Sequence, residues 1–165
     1  MLPIVITPET VRIGLAGEGE GLQRRLAILQ AAGVAPVTVT PDASLDGLSV
    51  LFVAGLDQAA SESLALRARR QGILVNVEDV PEFCDFNVPA IVRRGDLLLT
   101  VSTHGRSPGL ARRVREWLQQ RFGGEWEARL VELGSARDHW RAEGLRANEI
   151  AERTRRLIDE KGWLT

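Results

Sequence analysis

The sequence predicts an α/β protein built on a small parallel sheet with crossover helices. Two observations in the first half carry this reading: short apolar, β-branched runs alternate with amphipathic helical stretches, and the runs are apolar throughout, as strands buried on both faces are. A third comes from residue 88 onward, where the texture changes to two apolar runs around a turn, followed by long charged helices.

The strands are read at "VRIGLA" (11–16), "PVTVT" (36–40), "SVLFVAG" (49–55) and "ILVNV" (73–77). Between them, 20–32 carries Leu22, Leu26 and Leu29 at helical spacing, and 57–71 is rich in Ala, Leu and Arg. Only residues 41–48 join the second strand to the third, too few for a helical crossover. Fully extended they reach about 26–29 Å, enough to return along a strand of roughly 17–20 Å and step over one neighbour. Next, "VPAIVRR" and "DLLLTVST" bracket the turn dipeptide Gly95-Asp96 and read as a hairpin. A helix then begins at "SPGLARR", with Ser107 as N-cap and Pro108 in the first turn, and Gly123-Gly124 stops it. The tail, 125–161, spaces Trp126, Leu130, Leu133, Trp140, Leu145, Ile150 and Leu157 as two helices broken near Gly144.

The 165 residues suffice for a real core, and 44% apolar with 26% charged is the composition of a soluble globular chain. A net charge of −1 excludes a global basic field for nucleic acid or an anionic membrane, although the arginines cluster after residue 93. With one cysteine, Cys84, no internal disulfide forms and a reducing, cytoplasmic setting is expected. There is no metal-ligand spacing, "MLPIVITPET" lacks a charged n-region followed by a long apolar stretch, and nowhere do 18 apolar residues run together.

Three stretches are candidates for chemistry. In "GLAGEGEGLQRR" (14–25), Gly17 and Gly19 form a G-x-G corner between a strand and a helix. In that context backbone N–H groups at a helix N-terminus receive a dinucleotide pyrophosphate, and the same corner also serves packing alone. The third fingerprint position holds Leu22 where a small residue packs helix on strand, with Gly21 one place earlier; Thr40, Pro41 and Asp42 stand where an acid would hold a ribose. In "VNVEDVPEFCDF" (75–86) a strand runs into an acidic turn at the sheet end where ligands bind. Asp79 there reads as a proton-handling carboxylate or as turn chemistry, Glu78, Glu82 and Asp85 as solvated loop charges, and Cys84 as a small buried hydrophobe. In "STHGRSPGLARR" (102–113), Ser102, Thr103, His104 and Arg106 precede a helix N-terminus, with Arg112 and Arg113 about a turn inside and Arg93 and Arg94 nearby. These make either a receptor for carboxylates or phosphates, or a capped helix with solvated arginines.

Taken together, "LPI" (2–4), the glycine corner and above all "GILVNVEDVPEFCDFNVPAIVRRGDLLLTVSTHGRSPGLARRVREWL" (72–118) resemble the precorrin-2 dehydrogenase and sirohydrochlorin ferrochelatase family, the siroheme synthase N-terminal module. The resemblance implies a small Rossmann-like NAD-binding domain (1–87), a dimerisation hairpin and helix that also meet substrate (88–124), and a small C-terminal helical domain (125–165). It further implies a homodimer that removes hydride and proton from precorrin-2 to give sirohydrochlorin, with NAD as acceptor, and in many members inserts ferrous iron. Asp79 matches the family's catalytic aspartate. Gly17, Gly19, Glu20, Gly21, Pro41 and Asp42 would meet NAD, and Arg93, Arg94, Ser102, Thr103, His104, Arg106, Ser107 and Arg112 would meet the eight carboxylates of the tetrapyrrole. No bound metal cofactor, nucleic acid or membrane is expected. Three positions depart from the family pattern: Leu22, His104 in place of glycine, and the short 41–48 link, which omits about a strand and a helix on the adenosine side. These departures motivate an alternative, a tetrapyrrole-binding carrier that has lost NAD use.

Overall fold

Residues Ile13–Gly17 (β1), Val37–Val39 (β2), Val50–Ala54 (β3) and Leu74–Val77 (β4) pair in parallel, in the spatial order β2-β1-β3-β4, in the computed structural model, which describes residues 2–164. They belong to the first of two compact units, Met1–Val88, the second being Pro89–Thr165. All five residues of β3 are buried, because this strand lies inside the sheet with side chains covered on both faces. Leu51, Val53, Leu64, Ala65, Val75 and Val77 form the core on one face, and Ile13, Leu15, Leu29, Val50 and Phe52 that on the other.

Helix α1 (Gly19–Ala31) follows β1, and α2 (Gln58–Arg70) joins β3 to β4. Asp57 starts α2 by accepting the Ala60 N–H at 2.8 Å. The 41–48 link carries no helix and passes from β2 over β1 to β3, as its length requires. Two contacts fix it: Leu45 is completely buried in the core, and the Arg67 guanidinium donates to the carbonyls of Pro41 and Ala43. Replacing Arg67 by Met is expected to cost about 1.5–3 kcal/mol, the range for hydrogen bonds from a charged donor. Urea denaturation measures the loss, and faster amide exchange at 41–48 locates it.

Strand β4 is an edge, and the segment after the single turn Pro81–Phe83 closes it. The Cys84 thiol donates to the Val77 carbonyl at 3.1 Å and accepts the Val77 N–H at 3.3 Å. One Asp85 carboxylate oxygen accepts the Val75 N–H at 2.9 Å, while the other accepts Arg69 Nε at 2.9 Å. The sequence suggests that Asp85 is a solvated charge, yet its carboxylate completes the edge of the sheet.

In the second unit, Ala90–Arg94 (β5) and Leu97–Val101 (β6) form the antiparallel hairpin, with Arg94 paired to Leu97 across the two-residue turn. Gly95, at a φ of 54°, takes the left-handed first position of that turn. Helix α3 (Pro108–Arg121) is capped by Ser107, whose hydroxyl accepts the Leu110 N–H at 3.3 Å. Helices α4 (Glu125–Ala142) and α5 (Ala147–Glu160) make up the tail. Trp126 and Ile150 are buried there, and the Arg129 guanidinium lies over both Trp126, at 5.0 Å, and Trp163, at 5.4 Å. No helix among the described residues is long and apolar enough to cross a membrane.

Candidate functional site

Because the four strands run parallel, their carboxyl ends share one edge of the sheet. Gly17 ends β1 beside Ala54 at the end of β3, and Val53 pairs with Val77 just before Glu78 and Asp79. Pro41 and Asp42 follow the end of β2 on the same edge. The glycine corner and the acidic turn are thereby brought to one rim by strand order, although 60 positions separate Gly19 from Asp79 in the chain.

The corner is built around close backbone approaches. A Cβ at Gly17, where φ is 154°, would be driven into the Ala54 carbonyl oxygen, and one at Gly55 into that of Glu18. The Glu18 N–H donates to the same Ala54 carbonyl at 3.2 Å, which locks the two strand ends together. Gly21 supplies the close packing of helix on sheet, since a Cβ there would lie 2.9 Å from the Gly55 nitrogen and 2.7 Å from a Glu78 carboxylate oxygen. Leu22, one residue on, packs against the Phe52 core and leaves the corner unobstructed. Gly19 has open space around it, and no side chain caps the N-terminus of α1. Gly19, Glu20, Gln23 and Arg24 line an open depression at this end of the helix. Uncapped N–H groups, a positive helix end and glycines that admit close approach are what a dinucleotide pyrophosphate needs, so these residues fit the cofactor.

Asp79 is exposed and holds a left-handed backbone, with φ at 61°. Among residues other than glycine only His104, at 56°, shares that conformation within the described residues. Aspartate tolerates it better than most side chains, and such backbone strain concentrates at functional turns. Beside Asp79, Glu78 pairs with Arg24 at 3.4 Å, and Arg24 also lies 3.6 Å from Glu20. Asp42 is exposed, and the carbonyl of Pro41 is engaged by Arg67.

Three residues at this end of the sheet escape the sequence reading. Arg25 is only 9% exposed and lies over the Phe52 ring at 5.2 Å. Burial pulls its guanidinium below the ordinary arginine value, and the carboxylates of Glu78 and Asp79 act against that shift. Asn76 is buried on β4 opposite Phe52, donating to the Phe86 carbonyl at 2.9 Å, while its side-chain oxygen has no partner. The third is Gly55. Signals for two of them exist: Gly21, Arg25 and Leu29 recur at four-residue spacing, which puts the arginine on the buried stripe of α1, and Gly55 ends an apolar run as Gly17 does.

The second unit holds the other expected contacts. Thr103 closes the loop before α3, its hydroxyl accepting the Ser107 N–H at 3.2 Å and donating to the Ser107 carbonyl at 3.1 Å. Ser102 accepts the His104 N–H at 3.4 Å. His104 occupies a left-handed position, a backbone conformation that glycine adopts without strain. Arg93 and Arg106 are exposed. Arg112 is exposed too but bonded to Glu116 at 3.1 Å, and the Glu116 carboxyl lies below the usual range chiefly because of that hydrogen bond. Arg94 is committed elsewhere: its guanidinium donates to the carbonyls of Phe122 at 2.7 Å and Gln119 at 3.2 Å, closing the end of α3. Among the described residues there is no cluster of three or more His, Cys, Asp or Glu side chains that would hold a metal ion.

Residues 4–90 match a family described as "Putative NAD(P)-binding". Siroheme synthase of Methylococcus capsulatus is 33% identical over 149 residues, 74% of this chain and 31% of that protein. The corresponding enzyme of Nitrosococcus oceani is 29% identical over 178 residues, covering 90% of this chain and 37% of its own. The chain thus spans about a third of the length of these curated relatives. In architecture it is similar to a solved structure described as SirC, precorrin-2 dehydrogenase, with a TM-score of 0.76 and 20% identity, covering 100% of this chain and 93% of the other. That likeness extends the agreement to the fold of both chains. The match over more than half its residues, on the strand and glycine framework described above, means that this chain belongs to the NAD(P)-binding family of siroheme synthase N-terminal modules.

Proposed function

We propose that this protein is a precorrin-2 dehydrogenase of siroheme biosynthesis that uses NAD as hydride acceptor and releases sirohydrochlorin. The observation that carries the reading is the placement of Asp79, in a left-handed turn, on the same sheet edge as the open glycine corner. Bound NAD supplies the acceptor for the hydride. The chain's own residues do the rest. Backbone N–H groups from Gly19 to Gly21 hold the pyrophosphate, Asp42 reaches the ribose, and the Asp79 carboxylate takes the proton that leaves the tetrapyrrole with the hydride. An acid rather than a base at the end of β2 favours a free ribose hydroxyl, hence NAD over NADP.

Precorrin-2 is polyanionic, so its binding calls for guanidinium groups and hydroxyls. Arg93, Arg106 and Arg112, with Ser102, Thr103, His104 and Ser107, are the proposed carboxylate contacts, and Arg94 supports them by holding the end of α3. The segment 88–124 is proposed as the dimerisation and substrate region of a homodimer, with 125–165 as the helical tail. Ferrous iron would enter as a second substrate, for insertion into sirohydrochlorin.

Purified protein mixed with precorrin-2 and NAD is expected to generate NADH absorbance. Folded protein that stays inactive with both NAD and NADP defeats the proposal. Calorimetry then separates the alternative, since tight sirohydrochlorin binding without NAD binding identifies a carrier. A further change in the visible spectrum on adding ferrous iron extends the activity to chelation.

A further inference from the structure

We infer that Arg67 is a positioning residue for Asp42, clamping the turn after β2 so that this carboxylate is held ready for the adenosine ribose of NAD; this rests on the ribose contact proposed above. Arg67 is half-buried on α2, where Leu64 and Ala68 pack the helix into the core. Its two terminal nitrogens reach across to the link and donate to the carbonyls of Pro41 and Ala43, the residues on either side of Asp42. The link also closes on itself there. The Ala43 N–H donates to the Thr40 carbonyl at 3.0 Å, which puts Pro41 and Asp42 in the central places of a tight turn. Asp42 itself stays exposed, on the rim that the carboxyl ends of the strands share.

Residues 41–48 carry no helix or strand, and an exposed connection of that kind is ordinarily among the most mobile parts of a domain. Fastening the link to the core needs only Leu45, which is completely buried. The arginine fork does something more local. Its bond to the Pro41 carbonyl fixes the peptide plane before the Asp42 Cα, and the turn bond from the Ala43 N–H fixes the plane after it. With both planes held, the direction in which the Asp42 side chain leaves the backbone is set. An arginine near the end of this strand is also the residue type that receives a cofactor 2′-phosphate. Here both terminal nitrogens are occupied by carbonyls, so the guanidinium serves the acid instead. A receptor group that is already ordered loses less freedom on binding, which strengthens its hold on a ribose hydroxyl.

The test titrates NADH, and its analogue lacking the 2′-hydroxyl of the adenosine ribose, into wild-type protein, Arg67→Met, Asp42→Asn and the double variant, all well below their melting temperatures. Asp42→Asn is expected to weaken NADH binding about tenfold, the scale of one hydrogen bond to a charged group. Arg67→Met should weaken it about threefold or more, and the double variant no more than Asp42→Asn alone, because the arginine acts through the carboxylate. For the deoxy analogue all the proteins should agree within about twofold, and in turnover the KM for NAD should rise in Arg67→Met while kcat holds, as when uniform binding alone is lost. Arg67→Lys keeps the charge without the fork and is expected to fall between; it carries the same comparison if the methionine variant unfolds. An Arg67→Met protein that binds NADH as the wild type does overturns the inference and leaves Asp42 at the ribose. Equal losses for NADH and the analogue overturn it too, making the arginine a fastening of the link only. Undiminished NADH affinity in Asp42→Asn removes the ribose contact and the inference together, and wild-type protein that binds no dinucleotide removes the NAD reading as well.

Discussion

Asp79→Asn is expected to leave the protein folded while lowering the rate of NADH formation from precorrin-2 by about 10²–10⁴-fold, the usual contribution of a positioned general base. Asparagine is the right replacement because of the backbone. At a φ of 61° most side chains crowd the following carbonyl, at a cost of roughly 1–2 kcal/mol, whereas Asn accepts the left-handed region about as well as Asp. Asp79→Ala would mix that strain with the chemical loss, and a drop in activity could then be a drop in folded protein. With Asn the amide keeps the shape and polarity of the carboxyl and loses only its ability to take a proton. The check is a pair of measurements on one sample, a thermal unfolding curve and a turnover rate. An Asn variant that retains half its activity would remove Asp79 from the reaction.

The second large effect is expected at the glycine corner. Gly17→Ala should destabilise the first unit by about 3 kcal/mol or more and abolish NADH binding. Its Cβ has nowhere to go except into the Ala54 carbonyl, on a strand that is buried throughout and cannot retreat. The same carbonyl accepts the Glu18 N–H, so the start of α1 would be displaced along with the bond. Gly19→Ala is the control. Open space surrounds Gly19, and with φ at 59° its substitution meets only the backbone penalty of roughly 1–2 kcal/mol. Urea denaturation followed by titration with NADH distinguishes the two positions. Equal losses at both would mean that the corner is strained in general rather than closed at Gly17.

Much of the framework is legible in the chain because it is local. Apolar runs of five to seven residues mark the strands, leucine spacing marks α1, and Ser107-Pro108 marks the start of α3, where the Ser107 hydroxyl takes up its cap. The length of 41–48 alone implies a bare link over one neighbour, and the strand order β2-β1-β3-β4 has that neighbour in β1. What remains hidden is set by encounters between distant segments. Nothing around Arg25 says that the Phe52 ring lies against it, because that contact arises only when α1 packs on the sheet in which β3 is an inner strand. Arg94 looks identical to Arg93 as text, and its part emerges only when the carbonyls of Gln119 and Phe122 arrive next to it. Gly21 illustrates the middle case. The glycine is visible, but its service as the packing residue, in the place the fingerprint gives to position 22, depends on how the first turn of α1 seats on Gly55.

The thiol and carboxylate that flank Val77 and Val75 carry a last consequence, for how copies of this chain behave in concentrated solution. A bare outer strand is a template on which a stranger's backbone can zip itself, and such zipping seeds fibrils. Here that template is already read by the chain's own Cys84 and Asp85, so lateral growth from β4 is shut off without a single proline or lysine in the strand.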